Sequence, residues 1–406
     1  MQTTPEGRRG FASAAVETDP RAAKLREVVV TGAGLCEAAM PATAFVPRLN
    51  NALEQELYAR ARRKTAIEEW RVRSFHADDF AGQSRSPLIN PHLRAQELAF
   101  AEALRSAGLL RKIGRKQSRR VGVIYVDFYG NTSSLERELS SRELYYLDVY
   151  PTYLLQNHNI SGFSMKTRGE RNGAIEAFDV AQTLIRSGEL DAVILGGVFP
   201  VYSYLFLSEA LEDAAWIKAR GLRERGGVCE LRERSVFIVL EGADAAGDRG
   251  QKARFHIGDP EHYRVPEAHL ANFWADRWRI QKQATASDTA SGEMAAEGPA
   301  RRRDPSRLFG GVYRAAATDA EFSALAGRFP DAMAVDLSAD GDSGHLNALK
   351  PFVARARTSV DGTASPSPEP APQAGGRTRQ ALIHTCDRSG CGSELWIEQT
   401  KDNLNG

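Results

Sequence analysis

Residues 159–197, NISGFSMKTRGERNGAIEAFDVAQTLIRSGELDAVILGG, read as a loop, a sharp turn, a helix, a short link and an apolar strand ending in Gly196-Gly197. Upstream, Glu27–Thr31 (EVVVT) reads as a buried strand followed by a turn at Gly32-Ala33-Gly34. That lone Gly-x-Gly does not make a nucleotide site. No third glycine follows at dinucleotide spacing, and Leu35-Cys36-Glu37 does not open a phosphate-binding helix. Helical periodicity over 92–111 leads into a second buried strand, Arg120–Val126 (RVGVIYV). Downstream come a helical stretch at Leu205–Ala219, a strand at Val236–Glu241 and a turn over Gly242–Gly247. A helix at Asp319–Arg328, a strand at Ala332–Leu337, a turn and helix over Gly341–Arg357, and strands around Ala381–His384 and Leu395–Glu398 complete the pattern. Strands alternating with helices define an α/β chain with helices layered on sheets.

At 406 residues the chain is long enough for one large domain or two fused ones. Its 53 basic and 52 acidic residues nearly cancel, so no whole-protein field favours nucleic acid or a membrane surface. The longest apolar runs, such as Ala192–Leu195 and Val236–Leu240, are strand-sized and too short to span a membrane. Residues 1–24 lack a sustained apolar core and carry Glu6, Glu17 and Asp19, which reads as a solvated tail and not a targeting segment. Four cysteines (Cys36, Cys229, Cys386, Cys391) fit reduced thiols in a cytoplasmic protein. Cys386 and Cys391 lack a second cysteine or histidine pair at zinc-finger spacing, so no structural metal is expected. Residues 281–306 hold almost no large apolar side chain, and 358–376 are Pro-rich, so both read as flexible insertions.

Several stretches, in order, resemble the β-ketoacyl synthase (ketosynthase) branch of the thiolase superfamily. Arg26–Gly34 (REVVVTGAG) is similar to the family's opening strand, and Leu184–Gly197 (LIRSGELDAVILGG) to its helix end, Gly-Asp turn and strand. Gly344-His345-Leu346-Asn347-Ala348 resembles the Gly-His-x-x-Ala motif, and Cys386–Glu398 (CDRSGCGSELWIE) the C-terminal glycine-rich turn and last strand. The resemblance covers most of residues 25–400 apart from the insertions. It implies a thiolase-like five-layer αβαβα fold of two similar halves, 25–255 and 256–406, paired as dimers.

What the resemblance implies about the site is a loss. The family's nucleophilic cysteine stands in a turn before the helix, and counting back from Gly196 and Gly197 places Arg171 there, give or take one residue. A cysteine at a helix N-terminus gains thiolate character from the dipole and the free amides, whereas an arginine inverts the charge. Glu170 or a ligand carboxylate would then answer Arg171, or Arg171 would fill the vacated pocket, with Asn172 beside it. The family's first histidine should fall near Gly311, yet no histidine occurs between His269 and His345. His345 survives, and Asp340 replaces the lysine expected five residues earlier; an acid there would raise the pKa of the ring or orient it. Asp387 and Arg388 occupy positions that gate the acyl channel in the family, and Arg232-Glu233-Arg234 replaces a Gly-Glu-Gly. A filled, charge-paired pocket around Arg171, Glu233 and Arg388 follows. The Cys386 turn also resembles the thiolase Cys-x-Gly-Gly-Gly-x-Gly turn, in which case Cys386 and His345 form a surviving acid–base pair; otherwise Cys386 is a small buried thiol.

Two roles follow from the resemblance. One is a catalytically degenerate subunit, similar to the chain-length factors of type II polyketide synthases and partners in aryl-polyene pathways. It would bind no cofactor of its own, pair with an active ketosynthase or with itself, and meet the phosphopantetheine thioester of an acyl carrier protein. Chain-length factors generally place glutamine where Arg171 stands, which is a departure. The other is an enzyme that decarboxylates or transfers acyl groups without a cysteine acyl-enzyme, with His345 and Cys386 moving protons.

Overall fold

The computed structural model describes residues 26–44, 52–80, 91–110, 113–127, 152–168, 171–201, 203–219, 226–264, 305–310, 327–353, 379–386 and 391–400. The first half runs β1 (Val28–Glu37), β2 (Thr43–Ala44), α1 (Ala52–Lys64), β3 (Ile67–Arg73), α2 (Pro91–Ser106), α3 (Arg115–Ser118), β4 (Val121–Asp127) and α4 (Thr152–Asn157). It continues with β5 (Ser164–Arg168), α5 (Gly173–Arg186), β6 (Ala192–Phe199), α6 (Ser203–Ala219), β7 (Gly227–Arg232), β8 (Arg234–Gly242) and α7 (Ala243–Asp248). The second comprises β9 (Phe255–Ile257), β10 (Glu261–Arg264), β11 (Arg307–Gly310), β12 (Met333–Asp336), a 3-10 helix at Gly344–Leu349, α8 (Lys350–Val353), β13 (Arg379–Cys386) and β14 (Cys391–Gln399). The expected tail 1–24 and most of both expected insertions lie outside the described residues.

Eleven strands form one sheet in the order β12-β11-β13-β14-β9-β1-β8-β6-β4-β5, with β10 joined to β14 at one side. The two ends of this sheet are built alike. β5, β4 and β6 are parallel, and β8 and β1 then pair antiparallel. Likewise β12, β11 and β13 are parallel, and β14 and β9 follow antiparallel. Leaving aside β10 and the small sheet β2-β3-β7, each set of five takes the same spatial order: third, second, fourth, fifth, first. This repeat is the two-halved α/β architecture expected from the motifs.

The layers follow from strand periodicity, because successive side chains point to opposite faces. Ile124, Val126, Val193, Leu195 and Ile238 face α5, whose Ala174, Ile175, Ala177, Phe178, Ala181 and Ile185 are buried against them. Ile383, Leu395 and Ile397 of the second half belong to the same cluster, so α5 is sandwiched between the two sets of strands. On the opposite face Val123, Ile194, Phe237 and Val239 pack on Ala99, Phe100, Ala103 and Leu104 of α2. Each fully buried large apolar side chain contributes about 1.5–3 kcal/mol.

Two expected turns are corrected. Gly32 and Gly34 lie inside β1, where a Cβ would overlap the carbonyls of Ala103 and Ala99 in α2. These glycines let a helix lie directly on a strand. Ser106 Oγ and Glu102 Oε2 then accept the N–H groups of Ala33 and Leu35, closing an edge that β9 leaves unpaired. Gly242–Gly247 likewise mostly forms the short helix α7. The expected helix at 319–328 lies outside the described residues up to 326.

Candidate functional site

The turn from β5 into α5 places Arg171 two residues before the first helical residue, with a relative exposure of 5 %. A protonated guanidinium has no free electron pair with which to attack a thioester. Asn172 is the N-cap residue, yet its side chain does not bond its own helix. Its Nδ2 donates to the Cys391 carbonyl at 2.9 Å, and its Oδ1 accepts from Thr385 Oγ1 at 2.8 Å. The start of α5 is thereby fastened to the β13–β14 hairpin of the other half. Glu170, the expected local partner of Arg171, lies outside the described residues.

His345 opens the 3-10 helix that occupies, in the second half, the place of α5 in the first. It is fully buried, beside the Phe199 ring at 6.2 Å. Burial drives its pKa down to about 3, and a hydrogen bond to the Val126 backbone only partly opposes this. The imidazole is therefore neutral at physiological pH. This corrects the expectation that Asp340 raises its pKa: Asp340 is engaged elsewhere, and desolvation of the cation dominates.

Asp340 accepts from Arg234 Nη2 at 2.9 Å and from Lys350 Nζ. Burial pushes its carboxyl up, but those two cations outweigh it and hold it below the usual range. Arg234, only 1 % exposed at its side chain, donates Nη1 to the Gly341 carbonyl and to Ser343 Oγ, each at 2.7 Å, and pairs through Nε with Glu37. Asp342 Oδ1 accepts from Gly344 N at 2.9 Å and from Asn347 Nδ2 at 2.7 Å. Gly341 and Gly344 take positive φ (105° and 54°), the left-handed conformation glycine reaches without strain. The segment that presents His345 is thus held by charge and backbone shape.

Glu233 binds backbone amides. It is completely buried, its Oε2 accepts from Phe75 N at 2.7 Å, and its Oε1 from Val201 N at 2.9 Å. His92 Nε2 stands 3.0 Å from Oε2. Arg234 and Glu233 anchor two structural knots, while Arg388 of the expected charge-paired pocket lies outside the described residues. Alternation along the chain separates these adjacent side chains.

Cys386 ends β13 opposite Gly392, but its side chain, and all of Asp387 and Arg388, lie outside the described residues. The expected Cys386–His345 pair falls there too. Sequence reasoning missed His92, Thr385, Asp342 and Lys350. Only Asp342 carried a local signal, an acid two residues before a helix-opening glycine; the others act on segments distant in the chain. Among the described residues no group of three or more His, Cys, Asp or Glu could hold a metal, and no helix is long and apolar enough to cross a membrane.

The start of α5 thus carries a buried arginine and is fastened to the β13–β14 hairpin, and the second half holds a buried, neutral imidazole at His345. No protein-family model matches the chain, and no curated protein sequence matches it. Solved structures do. The ishigamide ketosynthase/chain length factor superposes with TM-score 0.59 at 16% identity, covering 92% of this chain and 99% of that one. AntDE:AntF, a type II polyketide synthase acyl-carrier protein in complex with its ketosynthase bound to the hexaketide, gives 0.55 at 14%, covering 93% and 100%. The ketosynthase from module 6 of the bacillaene synthase of Bacillus subtilis 168 gives 0.53 at 12%, covering 92% of this chain and 72% of that one. The chain has the fold of these ketosynthases.

Proposed function

We propose that this chain is a catalytically degenerate ketosynthase-like subunit that pairs with an active ketosynthase, in the manner of a chain-length factor, in type II polyketide- or polyene-like synthesis. One observation supports the reading: Arg171, which the family resemblance aligns with the acyl-accepting cysteine, is buried at the start of α5. The lowered pKa of His345 supports it, because a ring that stays neutral well below pH 7 is poorly matched to proton transfer at neutral pH. Condensation then belongs to the partner, and this chain contributes shape to a shared tunnel and a surface for the acyl carrier protein. The phosphopantetheine thioester is a ligand in transit, not a resident cofactor.

Purified protein incubated with malonyl- and acyl-carrier protein should show no covalent acyl adduct by intact mass. Co-expressed with a ketosynthase encoded beside it, it should elute as a heterodimer on size exclusion. An adduct, or turnover that His345→Ala and Cys386→Ala abolish, would overturn this in favour of an enzyme working by decarboxylation or acyl transfer without a cysteine acyl-enzyme.

A further inference from the structure

We propose that the C-terminal turn of α1 is a docking surface for an acidic protein segment. The proposal does not depend on the role given above. Arg60, Arg62, Arg63 and Lys64 are four cations in five residues, and all are exposed. At about 100° per residue they fan around the whole open side of the turn, while Ala61 points into the core. None of the four takes part in an ion pair or a hydrogen bond to an acid among the described residues.

Several other arginines of the chain are paired. Arg26, Arg71, Arg73, Arg94 and Arg120 all pair with a carboxylate. The four also do not stand alone. β3 and β7 are parallel and start just after α1 and α6, and the Ala66 carbonyl lies 3.3 Å from where a Cβ at Gly226 would be. Exposed Lys218 lies in the last turn of α6, a helix that packs against α1. A helix C-terminus accommodates a cation or two through its dipole, but that does not account for four unpaired ones in a chain whose charges sum to only +1.

The patch spans one helical turn and ends at a small sheet. An acidic protein segment matches that footprint. Nucleic acid or an anionic bilayer calls for a wider basic face, which the near-neutral remainder of the chain does not supply.

The test is fluorescence anisotropy of the full chain at 150 mM salt with three labelled probes: poly-L-glutamate, a 20-base-pair DNA duplex, and vesicles with 30 % phosphatidylserine. Saturable binding to poly-L-glutamate is expected to weaken at least tenfold in the variant Arg60→Ser/Arg62→Ser/Arg63→Ser/Lys64→Ser. It should change less than twofold in Arg105→Ser/Arg119→Ser, which removes exposed charge elsewhere, with circular dichroism confirming that both variants fold. Absence of binding, equal loss in both variants, or tighter binding to duplex or vesicles would overturn the proposal.

Discussion

Asn172 and Cys391 lie 219 positions apart in the chain, and the Asn172 side chain donates to the Cys391 carbonyl at 2.9 Å. With Thr385 on its other end, this carboxamide is the polar seam between the two halves at the start of α5. Asn172→Ala leaves the buried Thr385 hydroxyl and a main-chain carbonyl without these bonds, at a cost of about 1–3 kcal/mol. Thr385→Val combined with Asn172→Ala should cost less than the sum of the two. Strict additivity in urea unfolding would show that the seam does not act as a unit.

His345 gives stability a defined pH dependence. Its pKa falls from 6.5 in the unfolded chain to about 3 when folded. Over that window the unfolded chain binds a proton that the folded chain refuses, so stability drops with acid by up to about 1.4 kcal/mol per pH unit. Above pH 6.5 the effect vanishes. Urea midpoints of the wild type should therefore fall faster between pH 6.5 and 4.5 than those of His345→Gln, and parallel curves would count against the buried neutral ring.

Arg234 and Asp340 touch each other but should differ sharply on substitution. Arg234→Met removes a guanidinium that serves the Gly341 carbonyl, Ser343, Asp340 and Glu37 inside the protein, and about 3–5 kcal/mol is expected to be lost. Asp340 is half exposed, so solvent screens its pairs and Asp340→Asn should cost about 1 kcal/mol or less. Equal losses in chemical denaturation would contradict the burial that distinguishes them.

Gly34 faces the Ala99 carbonyl of α2, and Gly247 faces open space in α7. Gly34→Ala must push a helix off its strand, so about 1–3 kcal/mol of destabilisation is expected. Gly247→Ala should be neutral or stabilise by about 0.5–1 kcal/mol through the unfolded chain. A thermal melt comparing the two decides it, and a tolerated Gly34→Ala would mean that β1 and α2 do not lie as close as described.

Periodicity and local motif were enough to place the strands around Val28, Val121, Ala192, Val236, Ala381 and Leu395 and the helices α2, α5 and α6. Each of these elements buries a face that its own residue pattern announces. The short strands β9, β10 and β11 carry no such pattern, because their hydrogen bonds come from distant partners. The two glycines of β1 read locally as a turn, and only the presence of α2 over them explains an extended backbone.

By itself the sequence determined the α/β layering and the two-halved resemblance, since each rests on the identity and spacing of residues within single stretches. Where the charges go was decided only in three dimensions. Asp340 turned from His345 to Arg234 and Lys350, and Glu233 to the amides of Phe75 and Val201. The reason is physical: a buried charge must find partners wherever the chain brings them, and those partners lie beyond the reach of any local pattern.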